Sequence, residues 1–148
     1  MNAVKFLRKN ADLYNIDPER IGILGASAGG NLASMVALTD NFDDGGYPDV
    51  SSKVKVLVDM YGNVDLTTHR DYVPIFNTTR VQNPEIYRRY SPYTYVHSMA
   101  PPTLLIHSNN DPTVNKVQSE RFQAALNANG VHTKLVLVES NVHSIKLV

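Results

Sequence analysis

Apolar and polar positions along the chain alternate between a helical and an extended rhythm. Val4, Leu7, Ala11 and Tyr14 recur at spacings of three and four, which predicts a helix over about Asn2 to Tyr14. Asp17-Pro18 interrupts the pattern, because the residue before a proline is pushed out of the helical region, and Ile21 to Leu24 follows as a short buried strand. Gly25 to Gly30 ends that strand abruptly. The next segment, Ala28 to about Thr39, is rich in helix formers with Leu32, Met35, Val36 and Thr39 on one face. The polar, glycine-containing stretch from Asp40 to Ser52 reads as a loop, and the β-branched run from Val54 to Met60 as a second strand.

Residues 61–100 have no strong periodicity and hold Tyr72, Tyr87, Tyr90 and Tyr93, with Pro74, Pro84 and Pro92. A short helix is expected from Pro84 to Tyr90, since proline fits the first helical turn. So long an irregular stretch inside one domain is expected to act as a lid or cap-like insertion or a binding loop. Pro101-Pro102 closes it, and Thr103 to Ser108 is a third strand running into the turn cluster Asn109-Asn110-Asp111-Pro112. Val117, Phe122, Ala125 and Leu126 describe a helix closed by Asn129-Gly130, Thr133 to Val138 a fourth strand, and Ser140 to His143 the loop at its end. Strands alternating with helices predict an α/β fold: one domain with a parallel sheet of about four strands and right-handed crossover helices.

Composition narrows the field of function. The 148 residues are 43% apolar and 19% charged, a globular balance, and the 14 Lys plus Arg offset the 14 Asp plus Glu. A neutral chain has no field to gather nucleic acid or an anionic membrane, so neither is expected as a partner. No run approaches the roughly 20 apolar residues of a membrane span, and the N-terminus lacks the apolar stretch of a signal peptide, so the chain reads as cytoplasmic as written while its localisation stays open to a signal in upstream sequence. Without cysteine there is no disulfide framework, thiolate nucleophile or sulfur-based zinc site. The five histidines form no helical pair of metal-ligand spacing, so no metal or other cofactor is expected. Asp40, Asp43, Asp44 and Gly45 suggest a calcium loop until Phe42 is seen where an oxygen ligand is needed, which leaves a solvated loop. Asn77-Thr78-Thr79 fits the N-glycosylation pattern.

The chemistry concentrates at Gly25-Ala26-Ser27-Ala28-Gly29. This is Gly-x-Ser-x-Gly between a predicted strand and a predicted helix, the setting of a nucleophile elbow. Glycines Gly25, Gly29 and Gly30 are expected because the turn is tight, while the Ser27 hydroxyl is pushed out beside a helix N-terminus. A serine needs a base and a group to orient it, and both belong at the ends of later strands in the order serine, acid, histidine. Asp111 is the carboxylate in the turn after the third strand, and His143 the histidine in the loop after the fourth. His107, inside a strand, reads as a core histidine; His69 and His97 as surface or pocket-lining; His132 as exposed. Tyr87, Tyr90 and Tyr93 read either as a platform for an acyl group or sugar or as ordinary packing.

NIDPERIGILGASAGGNLA resembles the nucleophile segment of α/β-hydrolase serine esterases and lipases of the hormone-sensitive-lipase-like and acetyl-xylan or feruloyl esterase-like families. SPYTYV, PPTLLIHSNNDPTV and GVHTKLVLVESNVHS resemble the same families' acid and histidine segments in order and spacing. The resemblance implies Ser27 as nucleophile, Asp111 as triad acid, His143 as base and the Ala28 N–H as an oxyanion donor. It implies a carboxylic ester hydrolase working through an acyl-enzyme on a small-molecule substrate, a short-chain acyl or acetylated sugar ester. Ser108, Asn115, Val142 and Ser144 depart from the family pattern, and no His-Gly-Gly occurs in the chain. The matched segments belong to the C-terminal part of that fold, so the expectation is a partial α/β-hydrolase with an incomplete three-layer sandwich and an apolar edge or face open to self-association. Two rival readings are a non-catalytic truncated hydrolase and a serine peptidase of prolyl-oligopeptidase type.

Overall fold

Four strands form one parallel sheet in the order β1-β2-β3-β4, which is also their order in the chain. The computed structural model describes residues 1–43 and 45–144. The strands are β1 (Ile23–Ala26), β2 (Leu57–Met60), β3 (Thr103–Ser108) and β4 (Thr133–Val138), and the helices are α1 (Asn2–Lys9), α2 (Ala28–Leu38), α3 (Val73–Phe76), α4 (Pro84–Arg89) and α5 (Val117–Ala128). The register aligns Ile23, Leu57, Thr103 and Thr133, and two residues on Gly25, Asp59, Leu105 and Leu135. Side chains alternate between sheet faces, so these two rows lie on one face. That face carries the core: Leu57 and Leu105 pack with Ala33 and Leu38 of α2, with Phe122 and Leu126 of α5, and with Val64, Ala100 and Val131.

The opposite face is covered unevenly. Leu24 stands 60% exposed there. Its register partners Val58 and Leu104, and Ile106 and Val136 on the next row, are only partly buried among the described residues.

Several elements differ from their sequence-based expectations for local reasons. α1 stops at Lys9 rather than Tyr14, because the Asn10 amide donates to the Phe6 carbonyl (2.8 Å) and caps the helix with its own side chain. β1 runs two residues later than Ile21 to Leu24, since Gly25 and Ala26 are drawn into the ladder by Asp59 and Met60. β2 begins at Leu57, not Val54. On α2 the expected apolar face is rotated. Met35 is buried as expected, but the small residues Gly30, Ala33 and Ser34 are buried beside it, which lets the helix approach the sheet closely and leaves Leu32 66% exposed. In the 40s loop, Asp43 is paired with the buried Lys5 ammonium rather than simply solvated; Asp44 lies outside the described residues.

Candidate active site

Ser27 sits between β1 and α2 with φ 55° and ψ −120°, a left-handed conformation costly for a residue with a Cβ. Its N–H donates to Met60 O (2.8 Å), and Asn31 N–H donates to its carbonyl (3.2 Å), so both neighbours hold the turn. The glycines around it have unequal parts. A Cβ on Gly25 would overlap the Gly29 carbonyl, and one on Gly30 would meet Asp59 Oδ1 at 2.7 Å and Gly62 Cα at 2.9 Å. Gly29 has open space where its Cβ would be, so the steric requirement expected there is absent. The N–H groups of the first turn of α2, Ala28 among them, have no intrahelical acceptors, and the helix dipole adds partial positive charge beside the Ser27 hydroxyl.

Two loops bring the other groups in. Asn109 N–H donates to Val138 O (2.9 Å) and Asn110 N–H to Ser140 O (3.1 Å), which prolongs the β3–β4 pairing beyond the strands. Asp111 and His143 are thereby set side by side. Asp111 Oδ1 accepts the N–H groups of Thr113 (2.8 Å) and Val114 (2.9 Å), and Oδ2 accepts His143 Nδ1 at 2.7 Å. His143 Nε2 lies 2.7 Å from Ser27 Oγ. An ionised carboxylate only accepts, so Nδ1 carries the proton, Nε2 is the free lone pair and the serine hydroxyl donates to it. Burial works to raise the Asp111 carboxyl, but the Val114 N–H, the His143 hydrogen bond and the Thr113 N–H outweigh it and hold the group below its ordinary value.

His107 is fully buried behind Asp111, as expected of a core histidine, but it also reaches the carboxylate, with Nε2 3.6 Å from Oδ2. Its Nε2–H donates to Val114 O (2.9 Å) and its Nδ1 pairs with Ser119 Oγ (2.7 Å). Desolvation lowers its pKa against the pull of Val114 O and Asp111, which keeps the ring neutral near pH 7. His97 and His132 are exposed, whereas His69 is half-buried beside Tyr72.

A cavity of about 580 Å³ opens beside Ser27 and Ala28, walled by Tyr72, Phe76, Tyr90 and Leu32, with Asn63 and Arg70 as polar members. Phe76 stacks on Tyr90 at 5.3 Å between ring centroids. The expected tyrosine cluster therefore divides. Tyr90 lines the cavity; Tyr87 is a buried strut, accepting from Tyr72 N–H (2.7 Å) and donating to Thr78 O (2.8 Å); Tyr93 packs against the core. Tyr72, Phe76, Asn63 and Arg70 lie in the stretch expected to be a lid or binding loop, but no pattern within it singles them out, because tertiary contacts shape it. A larger cavity, about 680 Å³, lies near the N-terminal ends of β2 and β3 and touches none of Ser27, Asp111 and His143.

The BD-FAE family model matches residues 1–126. Esterase LipQ of Mycobacterium tuberculosis is 34% identical over 95% of this chain and 36% of its own length. A truncated carbohydrate esterase from gut microbiota superposes with TM-score 0.87 at 28% identity, over 95% of this chain and 58% of that one. An acetyl ester-xyloside bifunctional hydrolase from Caldicellulosiruptor lactoaceticus superposes with TM-score 0.76 at 29% identity, over 96% of this chain and 54% of that one. The chain thus spans about a third of LipQ's length and a little over half of the two solved chains.

Proposed function

The chain belongs to the BD-FAE family and carries the α/β-hydrolase fold of its esterase relatives, and from that premise we propose that it serves a carboxylic ester hydrolase with Ser27 as nucleophile, His143 as general base and acid, and Asp111 as the group that orients the imidazole. The observation that carries this reading is the unbroken relay of two 2.7 Å hydrogen bonds from Asp111 through His143 to Ser27 at the mouth of an apolar cavity.

Ser27 Oγ attacks the ester carbonyl carbon while its proton passes to His143 Nε2, and the carbonyl oxygen becomes an oxyanion facing the Ala28 N–H. The C–O bond to the leaving alcohol then breaks as Nε2 returns the proton to that oxygen, leaving an acyl group on Ser27. Water repeats the sequence and releases the acid. Asp111 stays ionised throughout and stabilises the imidazolium at Nδ1. Residues 61–100 act as the lid or cap-like insertion of the domain, since Asn63, Arg70, Tyr72, Phe76, Ile86 and Tyr90 of that stretch wall the cavity. Short acyl or acetylated sugar esters fit this wall, in which aromatic faces are mixed with amide and guanidinium groups. The two solved relatives, a carbohydrate esterase and an acetyl ester-xyloside bifunctional hydrolase, point the same way.

Hydrolysis of p-nitrophenyl acetate by the protein and its Ser27→Ala variant tests the reading, with a peptidyl anilide as the competing substrate. The ester should be cleaved and the anilide not. Ser27→Ala should lose activity by about 10³-fold or more, as removal of a nucleophile does, while keeping the parent's melting temperature. Retention of activity within about tenfold would exclude Ser27 as nucleophile.

A further inference from the structure

Tyr61, the residue that follows β2, shares an unusual feature with Ser27. The described residues other than glycine with positive φ are Asn15, Ser27, Tyr61 (44°) and Asn77. Asparagine tolerates that region because its side chain bonds locally; a tyrosine does not. So two residues whose conformations work against their own side chains, Ser27 and Tyr61, both contact one imidazole, that of His143. The Tyr61 ring packs edge-on against the His143 ring, centroids 4.9 Å apart and planes 68° to each other.

The strain is imposed by a buried turn. Asp59, 1% exposed on the core face of β2, accepts Gly62 N–H on Oδ1 (2.8 Å) and Ser34 Oγ–H on Oδ2 (2.7 Å). Gly62 and Gly30 both press on this carboxylate with no room for a Cβ, and Tyr61 N–H is fixed to Ile106 O (2.7 Å). The turn from Asp59 to Gly62 is therefore fastened to α2, to the nucleophile turn through Met60 O, and to β3. A backbone cost retained at such a place asks for a use. The use is visible at His143. It stands in an irregular loop with its side chain 22% exposed, and its hydrogen bonds to Asp111 and Ser27 both lie in the plane of the ring. Rotation out of that plane is resisted by what packs on the ring.

We propose that Tyr61 is a positioning residue for the reaction of Ser27: its ring holds the plane of the His143 imidazole, and the turn clamped by Asp59 keeps it aimed there. The Tyr61 hydroxyl has no hydrogen-bond partner among the described residues, so the ring alone carries this role. The inference rests on the esterase reading above.

The test compares Tyr61→Phe, Tyr61→Gly and Tyr61→Asn with the parent in p-nitrophenyl acetate hydrolysis and in the rate at which an alkyl fluorophosphonate labels Ser27. Glycine and asparagine accept the positive φ but lack the ring. Both relieve the backbone strain but delete a ring that is only 8% exposed, so both should melt cooperatively below the parent's temperature. With the variants folded at the assay temperature, kcat and the labelling rate should fall together by about tenfold or more and KM stay within about twofold. Tyr61→Phe should restore both rates to within about twofold of the parent. The proposal is overturned if a folded ringless variant labels and turns over like the parent, if the loss lies in KM alone, or if Phe fails to rescue. Ser27→Ala in the same assay separates the two claims. An active Ser27→Ala overturns the esterase reading and this inference with it, whereas an inactive Ser27→Ala beside a parent-like Tyr61→Gly removes only the role given to Tyr61.

Discussion

Replacing Asp59 by asparagine should flatten the dependence of stability on pH between about 4 and 7. Complete burial raises the Asp59 carboxyl from 3.8 to about 6, against the Ser34 and Gly62 hydrogen bonds that favour its charged form. A folded-state pKa above the unfolded one means that folding takes up a proton. The stabilisation is fully present below 3.8 and is lost as pH rises through about 6. Two units at 1.36 kcal/mol each come to about 3 kcal/mol lost between pH 4 and pH 7 from this one group. Asparagine has the same shape and no charge. Its Oδ1 can accept Gly62 N–H and its Nδ2 can donate to Ser34 Oγ, so both contacts persist. Urea unfolding followed by far-ultraviolet circular dichroism at a series of pH values should find parent and variant about equal at pH 4, with the variant ahead by about 3 kcal/mol at pH 7. Asp111, Asp71 and Asp43, whose carboxyls are lowered, lose stability only at pH below their ordinary range and do so equally in both proteins. A stability difference that does not change with pH, or a variant weaker at pH 7, would refute the account of Asp59 as a desolvated acid.

Two further predictions bear on the turn at Ser27 and on the sheet. Gly25→Ala should open the turn and cut fluorophosphonate labelling of Ser27 by about 10²-fold, whereas Gly29→Ala, with free space at its Cβ, should label at nearly the parent rate; equal effects would contradict the steric assignment. The apolar row through Leu24, Val58 and Leu104, beside β1, which is an edge strand among the described residues, should make the 148-residue chain self-associate. Light scattering behind size exclusion should show oligomers that Leu24→Lys reduces, and a monodisperse monomer with a cooperative melt would oppose this.

How much of the architecture could be read from sequence depended on what bounded each segment. β3 and β4 fall where expected, because Pro101-Pro102, Asn109-Asn110 and Asn129-Gly130 punctuate apolar runs that no neighbour redefines. β1 slipped by two residues because hydrogen bonds from β2, not its own composition, decide where it ends. The α2 face was misread for a similar reason: periodicity weighs Leu32 as core, while close approach of helix to sheet selects Gly30, Ala33 and Ser34. The serine, acid and histidine were legible because each must stand at the end of a strand, and strand ends are marked by turn residues. Asp59 and Tyr61 left no such mark. Neither has a motif or spacing of its own, and only the fold shows that a buried carboxylate and a left-handed tyrosine serve the same turn.

The strand order has a consequence for how the molecule comes into being. Each strand is laid down beside its predecessor, so as the chain leaves the ribosome N-terminus first, the sheet can grow by addition at one edge without waiting for a distant partner. The turn bearing Ser27 is made before β2, β3 and β4, yet its hydrogen-bond partner His143 arrives 116 residues later. Nearly the whole sheet must be in place before that hydroxyl is addressed by an imidazole. On the proposed reading of Ser27 as nucleophile, a nascent or half-folded chain displays an ordinary, unreactive serine, and reactivity toward an electrophilic probe becomes a report on completed assembly.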